Sequence, residues 1–463
     1  MARNAFLKPG VTMQRIDNRS PMFTNRALIN LGFPILLNCL MSFLMGTVDS
    51  IMVSAAGAAA VSAVSIVDAI NAVFTTVFDS IPIGGSVVTS QYLGAKQYEK
   101  AKESIRQILY SGVVLALICM VSMLCLRRQV LNWIYGTIEV DVYQQAVTYF
   151  TITLLSYPFL VAGCTATATL RSMAKSRQAV TITISVNALN VVGNAVLIYG
   201  FHLGVAGAAA ATVFSRIVWC VWGLLALRSK KLSVQLDRIF PIRLDWSVLK
   251  RVLLVGMGNG FENGLFYVGR LLVSSLVASL GTVYIAAYSL SSTLSSFGWS
   301  ALSAFTTTAM TVVGICIGAG EKEQARQNAK KMLLWSSVSM VVLFSLVFVF
   351  RRQLVGLYKL KTEELEVAAY YTGVAAVLTV ITGYSMSFTP VGVFRAAGDL
   401  RYPVVLASAT MILFRVGLSY LLCLYFEMGL MGVWLGMGAD WLCRTIFNTV
   451  HFCRGKWLDK KLI

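Results

Sequence analysis

QILYSGVVLALICMVSMLCL (107–126) is twenty residues long and carries no formal charge. As a helix rising 1.5 Å per residue it covers ~30 Å, the thickness of a bilayer's hydrocarbon core. In lipid every backbone group must pair internally, so helix is the state such a run adopts when it spans alone. Comparable runs lie at 27–54, 61–90, 143–170, 178–200, 205–227, 250–279, 283–314, 331–350, 367–394, 402–425 and 430–453, which makes twelve with the first. Composition agrees. Of 463 residues 57% are hydrophobic and 13% charged, against about 25% charged in soluble domains. An ordinary soluble enzyme and a disordered chain are both excluded, and an all-α polytopic membrane protein is expected.

Charge sets the expected topology. The net +19 comes from 39 Lys and Arg against 20 Asp and Glu. With the N-terminus inside, 30 of those basic residues fall on the cytoplasmic side. Six (Arg127, Arg128, Arg351, Arg352, Lys359 and Lys361) fall outside, and Arg216, Arg270 and Arg415 lie within runs. That bias follows the positive-inside rule. It predicts a multi-pass protein of the cytoplasmic membrane with both termini in the cytosol, surrounded by lipid and with no nucleic-acid partner. Segment 1–26 has Arg3, Lys8, Arg15, Arg19 and Arg26 but no apolar core, so the first helix reads as an uncleaved anchor. The nine cysteines lie mostly inside apolar runs, without metal or redox spacing, and read as small buried hydrophobes.

The chain also repeats itself. At an offset of 224 residues Gly32 meets Gly256, Gly57 meets Gly281, Gly94-Ala95 meets Gly318-Ala319, and Arg171 and Arg177 meet Arg395 and Arg401. Asn38 falls opposite Glu262. The offset slips to 225 where GVAG (204–207) meets GLMG (429–432). Twelve transmembrane helices in two pseudo-symmetric six-helix lobes follow. The expected division is an N-terminal segment 1–26, an N-lobe 27–227, a basic cytoplasmic linker 228–249, a C-lobe 250–453 and a tail 454–463. Two such lobes are parallel because six is even, a usual frame for alternating access.

Chemistry narrows the reading further. No GxxxxGK[ST] loop is present, so uphill movement would draw on an ion gradient. His202, in an outer loop, and His451, at the inner end of the last helix, do not read as buried bases or ligands. Ionisable groups inside a membrane cost ~2.5–3.5 kcal/mol at the bilayer centre and so mark candidate sites. Asp440 and Arg444, four apart, are expected to neutralise each other. Arg216 and Arg415 are expected to pair with acids or carbonyls. Asp68 and Asp79 lie eleven residues apart and share a face of helix 2. Asp49 lies eight residues before Gly57, Asn194 seven before Phe201, and Thr212 eight after Gly204, which places all three ~11–12 Å below the outer surface. Asn190 lies one turn deeper than Asn194 on the same face. One carboxylate, two amides and a hydroxyl offer oxygen ligands for a proton or a hard cation such as Na+. Glu262 is deep in helix 7, a possible C-lobe protonation site. Arg270 shares its face ~12 Å away, too far for direct pairing.

VDSIMVSAAGAAAVSAVSI (48–66), SQYLGAKQYEKA (90–101), GVAGAAAATVFSR (204–216), NGFENGLFYVGRLLVSSLVASLGT (259–282) and FRAAGDLRYP (394–403) resemble the multidrug and toxic compound extrusion (MATE) transporters, in order and in both halves. The resemblance implies a twelve-helix antiporter, not an enzyme. It would export small organic, often cationic, compounds against inward H+ or Na+ flow, as a monomer with no cofactor but the coupling ion. It places Asp49 at the family's helix 1 acid, and Asn190, Asn194 and Thr212 at positions that complete the N-lobe cation site. Glu262 matches a helix 7 acid of one large group; Asp68, Asp79 and Arg270 are read, apart from the resemblance, as supporting charges. Tyr384 stands where sodium-coupled members have a helix 10 acid, and Gly258 replaces the usual helix 7 proline. A lipid-linked precursor flippase of the same wider superfamily is the alternative; such proteins tend to carry extra helices. An intramembrane acyltransferase would need a nucleophile or a His–acid pair within the membrane. A major-facilitator transporter would show a Gly-Asp-Arg-Gly-Arg type loop where GAKQYEKAKESIRQ (94–107) stands.

Overall fold

The computed structural model describes residues 21–136, 139–237, 244–356, 358, 362–460 and 462–463. Most of the basic N-terminal segment, part of the linker (238–243) and Lys359 and Lys361 lie outside them. Twelve helical spans follow one another: α1 (Asn25–Ser54), α2 (Ala58–Gly94), α3 (Tyr98–Tyr135), α4 (Val140–Leu154 and Tyr157–Ser172), α5 (Ser176–Asn194, continued to Gly200), α6 (Gly204–Leu227), α7 (Trp246–Ala278), α8 (Thr282–Gly318), α9 (Lys322–Val349), α10 (Thr362–Ile381 and Tyr384–Ala397), α11 (Arg401–Thr410, continued to Tyr425) and α12 (Gly429–Arg454).

The expected runs are all helical, with two refinements. Several helices outrun their apolar centres; α3 reaches Tyr135, so Arg127 and Arg128 sit on the helix and not in a loop. Two spans are broken. α4 bends by 48° between Leu154 and Tyr157, where Pro158 starts the second half. α10 breaks at Gly383, which adopts a left-handed φ of 65°. Among the described residues, α7 and α12 are not apolar enough to pass as spans by composition alone. Asn259, Glu262 and Asn263 dilute the first, Asp440 and Arg444 the second.

The repeat is written into the turns. The tight turn closing α2 bonds Ala95 N to Gln91 O, Lys96 N to Leu93 O and Gln97 N to Tyr92 O. The turn closing α8 makes the same three bonds 224 residues on, from Ala319, Gly320 and Glu321. Positive φ recurs in register too: Gly57 with Gly281 and Ala174 with Gly398 at 224, then His202 with Glu427 and Gly204 with Gly429 at 225. The slip therefore falls within α5 and α11. Both helices widen into π-helical turns, at Ala195–Gly200 in α5 and at Met411–Leu418 and Leu421–Tyr425 in α11. The copy with the extra residue has the additional widened stretch, which is how a helix absorbs an insertion.

By internal packing the chain forms two compact units, one holding Asn25–Gly260 and the other Phe261–Ile463, with the division inside α7. The first is centred on Val67, Ile70, Phe78, Tyr149, Phe150, Tyr157 and Val161. There Phe78 meets Tyr157 edge-on at 5.0 Å. The Tyr157 hydroxyl donates to Asn71 Oδ1 at 2.8 Å, which satisfies both buried polar groups.

Candidate functional site

α5 and α6 pack closely because Gly207 takes the backbone of Leu197 against its Cα; a Cβ there would lie 3.0 Å from the Leu197 carbonyl oxygen. That contact fixes where α5 presents Asn190 and Asn194, just before its π-helical end. α1 supplies Asp49 opposite them. The Asn194 Nδ2 donates to Asp49 Oδ1 at 2.8 Å. With its amide turned to satisfy both ends, Asn190 donates to both Asp49 oxygens at 3.1 Å. Its own oxygen then lies 3.4 Å from the Thr212 hydroxyl, which donates to Ala208 O at 3.0 Å. Sequence depth places Asp49, Asn194 and Thr212 at one level with Asn190 one turn deeper, and the fold brings the four together.

Two features of the cluster bear on chemistry. Both amides present N–H groups to the carboxylate, so the site is built around an acceptor. Asn194 Oδ1, by contrast, is buried with no hydrogen-bond partner among the described residues. A buried amide oxygen left unmade is costly. A protonated carboxyl or a cation ligated by oxygens would satisfy it.

Two other charges of this unit have hydroxyl partners. Asp68 accepts from the Tyr149 hydroxyl at 3.3 Å, and Arg216 donates to Ser156 Oγ at 2.6 Å. Asp68 and Arg216 are near enough to interact electrostatically. Asp68 and Asp79 are both exposed on α2. No hydrogen bond joins either to Asp49.

In the second unit Glu262 accepts a charged hydrogen bond from Arg395 at the end of α10, and both side chains are largely buried. Spacing along α7 offered Glu262 only Arg270, which is exposed and makes no hydrogen bond or ion pair among the described residues. Arg395, 133 residues away, could not be found from periodicity. Asp440 and Arg444 do pair, Nε to Oδ1 at 2.7 Å. Arg444 also donates to Thr410 Oγ1 and Ala407 O, and Arg415 Nε lies 3.1 Å from Asp440 Oδ2. Neither histidine is expected to be a buried base or ligand; His451 is half-buried, and it is engaged. Gly398 turns the chain so that buried Asp399 reaches His451 Nε2 at 2.8 Å, and the ring stacks on Tyr402 at 3.8 Å. His202 is exposed.

A twelve-helix polytopic protein with acids in its spans held by amides and guanidinium groups has the build of a membrane transporter. The MatE family model matches residues 34–196 and 260–421, one copy in each half of the repeat. The chain belongs to this family, whose members are transporters and not enzymes. It is similar to the uncharacterised transporter YisQ of Bacillus subtilis, 23% identical over 96% of this chain and 97% of that one. It is also similar to the probable multidrug resistance protein NorM of Thermotoga maritima, 23% identical over 95% and 94%. A solved structure of a multidrug resistance MATE family transporter in an outward-facing conformation shares the fold. That structure gives a TM-score of 0.86 at 19% identity, over 94% of this chain and 97% of that one.

Proposed function

We propose that this protein is a secondary antiporter of the cytoplasmic membrane that exports small organic compounds in exchange for H+ or Na+. In this reading it works by alternating access, as a monomer with both termini in the cytosol. The observation that carries this is the Asp49 carboxylate held by Asn190 and Asn194 beside an unsatisfied amide oxygen. The names of the relatives, multidrug resistance and multidrug export proteins among them, support organic compounds as the cargo.

The mechanism follows from what the four side chains do. Asn190 and Asn194 hold the carboxylate in one orientation. Protonation from outside would remove its charge and turn one oxygen into a donor, for which the unpartnered Asn194 Oδ1 would be an acceptor. A sodium ion would instead take oxygens from Asp49, Asn190, Asn194 and Thr212. Either ion drives export only if it binds one conformation more tightly than the other, since equal affinity shifts nothing. Asp68 and Asp79 act as supporting charges. Glu262, held by Arg395, is the acid that a second proton would have to reach in the C-lobe.

Proteoliposomes with imposed H+ and Na+ gradients, one at a time, test the reading. Asp49→Asn should reach the membrane and bind substrate yet lose gradient-driven export. Export by that variant against a gradient at the wild-type rate overturns Asp49 as the coupling group.

A further inference from the structure

The second unit holds three largely buried arginines, Arg395, Arg415 and Arg444, against two acids in its spans, Glu262 and Asp440. Glu262 is taken by Arg395. Arg444 takes Asp440 through its Nε at 2.7 Å and spends its remaining hydrogen bonds on α11. Arg415 is the surplus cation. Its side chain is 5% exposed and its Nε lies 3.1 Å from the shared carboxylate without hydrogen-bonding geometry. Neither terminal nitrogen donates to any described residue. The guanidinium sits over the ring of Phe266 at 4.7 Å, with Trp441 at 5.9 Å.

A guanidinium that shares its one carboxylate with a second arginine, its terminal nitrogens unbonded among the described residues, is expensive inside a membrane, and two aromatic faces offset only part of that cost. What would complete it is planar and negative, since five N–H groups in a fixed fork match a carboxylate or phosphate bidentately. The repeat sharpens the point. On the register fixed by Gly57 and Gly281, the C-terminal counterpart of Asp49 is Val273, which is buried. On the register fixed by His202 and Glu427, Arg415 stands where Asn190 does and Ser419 where Asn194 does. The positions that supply an acid and an amide in the first unit supply a valine and a guanidinium in the second, and the carboxylate beside that guanidinium, Asp440, comes from α12.

We propose that Arg415 is a docking point for the acidic group of an aromatic organic anion, beside the apolar rings of Phe266 and Trp441, and that the exported compounds include carboxylates or phosphate esters of this kind. The second clause rests on the export reading above; the binding site does not.

The test is equilibrium dialysis of purified full-length protein in detergent, with no gradient. Three probes of one shape are used: 1-naphthoate, uncharged 1-naphthamide and cationic 1-naphthylmethylammonium. Wild type should bind naphthoate at least tenfold more tightly than naphthamide. Arg415→Gln, which leaves the Asp440–Arg444 pair intact, should lose that tenfold for naphthoate alone. Asp49→Asn should bind naphthoate as wild type does, so failure of coupling and failure of this site are read separately. If Arg415→Gln does not fold, Arg415→Lys keeps the charge without the planar fork and should bind naphthoate several-fold more weakly. Equal binding of naphthoate and naphthamide by wild type, or unchanged naphthoate affinity in the folded Arg415 variant, overturns the proposal. Chloride that competes with naphthoate at lower concentration than naphthoate itself would assign the fork to an inorganic ion and overturn it too.

Discussion

Replacing Gly432 by alanine separates close helix packing from helix propensity, because the two predict opposite signs. In an unobstructed helix the change should stabilise by up to ~1 kcal/mol. Here the new Cβ would lie 2.8 Å from both Cys423 N and Leu422 C, backbone atoms of α11 that cannot rotate aside. Restoring even a tight 3.4 Å contact requires about 0.6 Å of backbone movement. Overpacking of that sort costs ~1–3 kcal/mol, so the net effect should be a loss of ~1–2 kcal/mol. Gly207→Ala meets Leu197 at 3.0–3.1 Å in the equivalent α5–α6 contact and should lose less. Gly264→Ala has nothing within 4 Å and should be neutral or stabilising. Equilibrium unfolding in mixed micelles ranks the four proteins, where 1.4 kcal/mol is about a tenfold change in the equilibrium constant. Gly432→Ala as stable as wild type would refute the close approach of α11 and α12.

Three further outcomes are expected. Glu262→Gln leaves Arg395 largely buried without its counter-charge and should cost ~2–4 kcal/mol; adding Arg395→Gln should recover at least half, and strict additivity in the double-mutant cycle would dissolve the pair. Asp245 accepts from Ser247 Oγ at 2.7 Å, Ser247 N at 2.9 Å and Val248 N at 3.3 Å, capping α7. Asp245→Ala should cost ~0.5–1 kcal/mol at pH 7. The Ser247 hydroxyl, then the two N–H groups, hold the Asp245 carboxyl below its ordinary 3.8. A depressed folded value means stability present above 3.8 and lost as pH falls through the folded value, so the difference from wild type should shrink only below about pH 3.8; a difference independent of pH to 2 would exclude the charged cap. Finally, exposed Lys231→Cys in a cysteine-free background should resist a membrane-impermeant thiol reagent in intact cells and react after permeabilisation. Labelling from outside would invert the proposed topology.

How much of this was written in the sequence depends on how far each signal reaches. Span number was legible because a run like 107–126 has one stable state in lipid. The repeat was legible because glycines at 57 and 281 mark turns of positive φ, where few other residues settle. The break in α4 carried a cue in Pro158. The break at Gly383 did not announce itself among so many glycines. Asp49, Asn190, Asn194 and Thr212 could be placed together because depth below a surface is simply a residue count along each helix. Arg395 could not be assigned to Glu262, nor Asp399 to His451, because those pairs depend on how helices pack laterally. Helical spacing is silent about that.

The extra widened stretch of α11 has a meaning for the history of the chain. One residue inserted into a straight helix turns everything beyond it by ~100°. In a bilayer that would carry packed faces out to lipid and lipid faces inward, so such a change in a duplicated gene should rarely survive. A π-helical turn takes up the residue and returns the helix to phase before the loop at Glu427. The two halves were thus released from strict length equality inside the membrane. Their contact glycines, Gly207 and Gly432, kept equivalent partners, Leu197 and Leu422, while the side chain two turns away differs, an amide at Asn190 and a guanidinium at Arg415. A local loosening of helix geometry lets two copies of one repeat carry different polar side chains on a common scaffold.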